Sequence, residues 1–205
     1  MNQGHLDYLA SPEWAAALRT DLLPWLETVA ELGDDVLEIG PGPGLTTDLL
    51  RECCASVTAV EIDSGLAAAL AERLRGTNVV VISGDATEVE LPSGRFSAAT
   101  CFSMLHHMPS PQAQDQLFAE LHRVLRPGAP LVGVDSADTD LARGAHVDDV
   151  FVPLEPETLG ERLRAAGFTA VTVTAAGPHQ IRFDARKPEA AAGAGRPASG
   201  HGGAA

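Results

Sequence analysis

A chain of 205 residues with 45% hydrophobic side chains is long enough for one α/β domain with a full core and short additions. Its 28 acidic side chains against 14 basic ones give a formal net charge of −14, and Lys187 is its one lysine. Nucleic-acid backbones and anionic membrane surfaces are held by clustered Lys and Arg, so this balance argues against both as partners. No apolar run nears the roughly 20 residues of a membrane span and no signal peptide is read at the start, so the expectation is a cytoplasmic protein.

Residues 1–33 read as a helical lead-in. Ser11-Pro12-Glu13 is a helix start, with a capping serine before a proline at the first helical position. Trp14, Leu18 and Leu22 follow at helical spacing, and Pro24 is expected to break or restart the helix before Trp25 and Leu26. Such a segment packs on the edge of a sheet, closes as a flap over a ligand, or does both.

The next stretch carries the strongest signal. Val36-Leu37-Glu38-Ile39 is a short apolar run, the pattern of a buried parallel strand. Glycines follow at 40, 42 and 44, around Pro41 and Pro43, and then a helix with Leu45, Leu49 and Leu50 on one side. Strand, glycine turn and helix make the first half of a nucleotide-binding βαβ unit, with the helix N-terminus facing the ligand. The spacing decides which nucleotide. A dinucleotide fingerprint would place its third glycine at Leu45, and a P-loop would need a Gly-Lys-Ser/Thr that is absent. Glu38, directly before the first glycine, would repel a pyrophosphate but suits a ligand with a cationic end.

At these residues the chain resembles the class I S-adenosylmethionine-dependent methyltransferases, whose first motif is an apolar strand, an acid and Gly-x-Gly-x-Gly. The resemblance implies a Rossmann-like α/β fold: a seven-stranded, mostly parallel sheet with helices on both faces and an antiparallel edge strand. It also implies S-adenosylmethionine as cofactor, held around Glu38, Gly40, Pro41, Gly42 and Gly44. Cys53 and Cys54, with Cys101 the only other cysteine, match neither a disulfide framework nor a zinc spacing. They read as buried thiols, and no metal is assigned.

Strand two, residues 56–62, ends in Glu61-Ile62-Asp63. Glu61 lies 21 positions after Gly40, where a doubly wound fold puts the carboxylate that accepts both ribose hydroxyls. Asp63 competes for that role and reads better as the cap of a helix carrying Leu66, Leu70 and Leu74, stopped by Gly76. Strand three, residues 78–83, runs into Gly84-Asp85-Ala86. By the residues alone Asp85 is a turn residue. The resemblance implies that its carboxylate accepts from the adenine amino group and that the Ala86 N–H meets a ring nitrogen. Ile62 and Ser103 join the cofactor-binding set on the same footing.

Strand four is read over 96–105 and leads to His106-His107-Met108-Pro109. Both histidines end a strand near the expected methyl group, so they are the candidate catalytic residues, with His107 the expected base for a hydroxyl acceptor. Ser110-Pro111 starts a helix with Leu117, Leu121 and Val124 inward, and its end, Arg-Val-Leu-Arg-Pro-Gly (123–128), resembles the methyltransferase type eleven (ubiquinone/menaquinone-type) subgroup. Strand five is read over 131–134, an irregular acidic stretch over 135–149, a helix over 156–166, and a terminal antiparallel hairpin over 168–174 and 180–185. From Pro188 to Ala205, 12 of 18 residues are Ala or Gly, and the tail reads as disordered. The expected organisation is a lead-in or flap (1–33), a cofactor-binding domain (34–187) and this tail (188–205).

Three functions fit. The favoured one is methyl transfer to a small-molecule acceptor, by a monomer or homodimer. An RNA adenine dimethyltransferase is suggested by Glu-Ile-Gly-Pro-Gly and Val-Glu-Ile-Asp, but that family has an Asn-Leu-Pro-Tyr-like motif where this chain has Phe102-Ser103-Met104-Leu105. A non-catalytic protein that senses the cofactor is the third.

Overall fold

Val36, Leu37 and Ile39 are almost wholly buried because β1 (Asp35–Ile39) is the strand on which the sheet is built. In the computed structural model, which describes residues 3–190, β1 pairs in parallel with β2 (Ser56–Glu61) on one side and β4 (Ala98–Phe102) on the other. The sheet continues outward through β3 (Val79–Ser83) beyond β2 and β5 (Pro130–Ser136) beyond β4. It ends in the hairpin of β6 (Thr169–Ala175) and β7 (Gln180–Arg186), giving the order β3-β2-β1-β4-β5-β7-β6. β7 runs antiparallel to both neighbours. The chain leaves β1 toward β2 and returns on the opposite side at β4, so a crevice opens above the carboxyl ends of β1 and β4.

Helices cover both faces. On one, α4 (Leu45–Cys53) and the lead-in bury Leu18, Leu22, Leu26, Leu49 and Leu50 against Val36, Val57, Phe102, Val132 and Val134. On the other, α6 (Pro111–Val124) and α8 (Pro156–Ala165) bury Leu117, Phe118, Leu121, Leu159 and Leu163 against Leu37, Ile39, Cys101 and Leu131. Between β6, β7 and β5 the limiting contact is an aromatic one. A Cβ on Gly133 would stand 2.1 Å from the Phe183 ring, so the glycine seats that ring in the sheet.

The lead-in lies over the face of the sheet, packed on β1, β4 and β5, and not at its edge. Its opening helix is α1 (Gln3–Leu9), followed by α2 (Pro12–Ala17), whose cap Ser11 accepts from the Trp14 N–H at 3.1 Å. Pro24 does not break the helix. A π-helical turn, Leu18–Leu22, joins α2 to α3 (Leu23–Val29), with the Leu23 N–H donating to the Leu18 carbonyl. The proline falls in the first turn of α3, where a missing N–H is tolerated. Arg182 of β7 anchors the segment, donating to Asp21 at 2.5 Å and stacking 5.1 Å from the Trp25 ring centre.

Other expectations are corrected in detail. β4 is shorter than the 96–105 run: Phe96 makes only an isolated bridge to Leu125, and Ser103 takes a left-handed φ of 55° that ends the strand. The stretch after β5 contains α7 (Asp140–Ala145), capped by Thr139 accepting from the Ala142 N–H at 3.2 Å. β5 itself runs on to Ser136 and so includes Asp135. Cys54 and Cys101 are buried as expected, but Cys53 ends α4 on its exposed side. Residues 191–205, most of the tail expected to be disordered, lie outside the described residues. Among the described residues no helix is long and apolar enough to cross a membrane.

Candidate active site

The glycine turn is built from left-handed backbone. Gly40, Gly42 and Gly44 have φ of +65°, +54° and +86°, a region where a Cβ costs energy. A Cβ on Gly40 would lie 2.7 Å from Met104 Cβ, and one on Gly44 would lie 2.3 Å from a Leu70 methyl. The first glycine therefore admits the chain leaving β4, and the third admits α5 (Ser64–Arg73). The Pro41 carbonyl accepts from the Gly44 N–H at 2.9 Å and closes the turn. The Gly42 N–H donates to Glu61 Oε2 at 3.0 Å, tying the turn to the end of β2.

Glu38 lies beneath this turn, 1% exposed. The Thr46 hydroxyl donates to Oε1 and the Thr47 hydroxyl to Oε2, the latter at 2.6 Å. Burial pushes its carboxyl up to about 7 from the ordinary 4.5, the two hydroxyl donors pull it down, and the nearby Asp48 and Glu61 charges add to the rise. Glu38 is thus a carboxyl group near its midpoint at neutral pH, held by the first turn of α4.

Above the carboxyl ends of the strands lies a cavity of about 420 Å³. Six of the expected site residues line it: Gly40, Glu61, Ile62, Asp85, Ala86 and His107. Glu61 and Asp85 give one end an acidic rim, whereas Met104, Met108 and Leu117 make the opposite wall apolar. Glu61 accepts from the Asp63 N–H at 2.9 Å, and Asp63 caps α5 through the Gly65 and Leu66 N–H groups. Asp85 Oδ1 accepts from the backbone N–H and hydroxyl of Thr87, at 2.8 and 2.7 Å, which fixes its direction. Leu6 of α1 also lines this cavity.

The two histidines separate in role. His106 is fully buried, and its Nδ1 lies 2.5 Å from Asp135 Oδ1. Asp135, also buried, accepts from the Leu105 N–H at 2.9 Å and the Ser136 N–H at 2.8 Å. The pair locks the chain leaving β4 to the end of β5, and His106 does not line the cavity. His107 does, with its Nδ1 3.3 Å from the Val150 carbonyl and 3.9 Å from Asp149 Oδ2. The rings lie 4.1 Å apart, centre to centre.

Pro41, Gly42 and Gly44 shape the turn without lining the cavity. Ser103 lines a different hollow, of about 180 Å³, with Tyr8, Trp14 and Arg182. Several site residues had no place in the sequence reading. Thr46 and Thr47 were legible, as two hydroxyls opening the helix after the last glycine, and Asp135 ends an apolar strand much as Glu38 does. His146, Asp149 and Val150 carry no signal, since only the loop after α7 brings them to His107.

Comparison with known proteins agrees with this geometry. A family model described as a methyltransferase domain matches residues 36–128. The dimethyladenosine transferase of Schizosaccharomyces pombe is 33% identical over 133 residues, which are 57% of this chain and 43% of that protein. The ubiquinone biosynthesis O-methyltransferase of Pseudomonas fluorescens is 28% identical over 166 residues, 71% of this chain and 69% of that one. The chain thus spans less than half the length of the first relative and about two thirds of the second. A solved SAM-dependent methyltransferase from Aquifex aeolicus superposes with a TM-score of 0.70 at 20% identity, over 91% of this chain and 98% of that one. With motif, sheet order and family model in agreement, residues 36–128 carry a methyltransferase domain, set in a fold like that of the class I S-adenosylmethionine-dependent methyltransferases.

Proposed function

We propose that the chain transfers the methyl group of S-adenosylmethionine to a small-molecule acceptor, at a hydroxyl oxygen. The observation that carries this is the cavity itself, which joins two carboxylates suited to a nucleoside, Glu61 and Asp85, to a histidine at the acceptor end. The likeness to a protein named an O-methyltransferase over most of both chains supports the choice of oxygen. Methyl transfer from a sulfonium needs no acid, because the sulfide leaves neutral. The protein's work is to align acceptor and methyl at about 3–3.5 Å in a site shielded from water, and to manage the proton of a hydroxyl acceptor. His107 meets that acceptor, and His106, fixed by Asp135, positions it. The Leu6 side of the lead-in serves as the flap.

The relative named a dimethyladenosine transferase makes RNA the second reading. A net charge of −14 with a single lysine weighs against it. The test is a screen of hydroxylated small molecules beside a structured RNA fragment, scored by S-adenosylhomocysteine release; turnover with RNA alone overturns the proposal. Cofactor binding is checked by titration calorimetry, with NAD as the negative control. Glu61→Ala should weaken S-adenosylhomocysteine by about 1–3 kcal/mol, roughly 5–150-fold in Kd, the loss expected for a charged acceptor of two hydroxyls. An unchanged Kd removes Glu61 from the ribose site.

A further inference from the structure

We propose that His106, His107 and His146 form a binding site for a divalent transition-metal ion, zinc foremost, at the acceptor end of the cavity. One ring nitrogen from each of the three lies within 4.8 Å of one from each of the others. His146 comes from the end of α7, and its ring stands 4.8 Å from that of His106 and 5.1 Å from that of His107, centre to centre. Three imidazoles from two separate segments thus meet at one point beside the cavity.

The back nitrogens argue for a metal over mere packing. His106 Nδ1 faces Asp135 Oδ1 at 2.5 Å, His107 Nδ1 faces the Val150 carbonyl at 3.3 Å, and His146 Nδ1 faces the Ala142 carbonyl at 2.6 Å. Carbonyl oxygens only accept, so Nδ1 carries the proton in the last two, and the buried carboxylate sets the same tautomer in the first. In each ring the lone pair is then on Nε2, and all three Nε2 atoms are shielded from solvent. A metal-ligating histidine characteristically donates its other N–H to a carboxylate or a carbonyl, and here all three do. Phe151 stacks on His146 with ring centres 4.5 Å apart and holds that ring against the others.

Neutral imidazole donors favour zinc and the late first-row metals over magnesium or calcium, which prefer oxygen. Tetrahedral zinc with bonds of about 2.0–2.1 Å needs nitrogens roughly 3.4 Å apart, so loading draws the rings inward by about an ångström. Three protein ligands leave a fourth position, and His107 and Asp149 place it on the cavity. The inference rests on the methyltransferase reading for its purpose: an acceptor oxygen in that position would be held in place and its O–H acidified.

The test uses the full chain, freed of metal by chelation and titrated with Zn(II) by calorimetry and with Co(II) by visible absorption. One equivalent should bind, with the intense absorption of a four-coordinate Co(II) site. His146→Ala and the milder His146→Gln should each weaken zinc binding by at least about tenfold, and Asp135→Asn by roughly 10–100-fold. S-adenosylhomocysteine is titrated into the same samples to report the fold and the cofactor site. Protein that binds the nucleoside but takes up no metal overturns the metal site alone, as does equal zinc affinity in both His146 variants. Metal uptake with no nucleoside binding supports the site and overturns the methyltransferase reading.

Discussion

Replacing His107 with alanine should lower the turnover rate by roughly 10²–10⁴-fold while the Kd for S-adenosylhomocysteine stays the same. The size follows from the chemistry. A hydroxyl is a poor nucleophile until its proton is managed, and His107 is the histidine of the 106–107 pair that faces the cavity. Cofactor affinity should hold because the residues assigned to the nucleoside, Glu61 and Asp85, lie at the ends of β2 and β3, across β1 from the histidines that follow β4. Single-turnover measurements with saturating cofactor make the test clean, since product release cannot mask the step. A raised KM with kcat intact would make His107 a wall of the pocket and nothing more. His106→Ala is the contrasting variant: it removes the partner of a buried Asp135, so it should cost stability as well as rate.

How much was legible follows from what each residue's role depends on. The glycine turn, Glu61 and Asp85 were readable because their positions are set within a strand and the turn after it, and strand periodicity survives in sequence. The histidine pair was also placed by its strand, but its division of labour was not. Whether a side chain after β4 faces the cavity or the core is decided by the left-handed Ser103 and the short 3-10 turn Leu105–His107. Nothing in the residue types announces that backbone. The convergence of His146 on the pair was invisible for a plainer reason. It depends on a loop some 40 positions away whose path is set by tertiary contacts, such as the Val152 N–H donating to the His106 carbonyl at 2.7 Å. Pro24 was legible as the restart of a helix, since it falls in the first turn of α3, but the π-helical turn that joins α2 to α3 without a break was not.

Glu38 provides the second large effect, in stability. Its carboxyl titrates near 7 in the folded protein and near 4.5 when exposed, so the native state holds a proton that the unfolded chain gives up. Stability from this group is therefore fully present below pH 4.5 and declines as pH rises to about 7, by on the order of 3 kcal/mol in total. Glu38→Gln keeps the shape and removes the charge. The variant should match the parent at pH 5 and exceed it at pH 8, seen as a midpoint shift in urea melts with the slope unchanged. A parallel pH dependence in the two proteins would place the titration elsewhere. The same substitution should act on the ligand with the opposite sign. The role proposed for this carboxylate, directly below the glycine turn, is to attract the cationic end of S-adenosylmethionine, at a cost in stability. Glu38→Gln should thus stabilise the protein and weaken the cofactor together. If affinity is unaltered, the work of Glu38 ends at Thr46 and Thr47, and the cationic end of the cofactor is held elsewhere in the cavity.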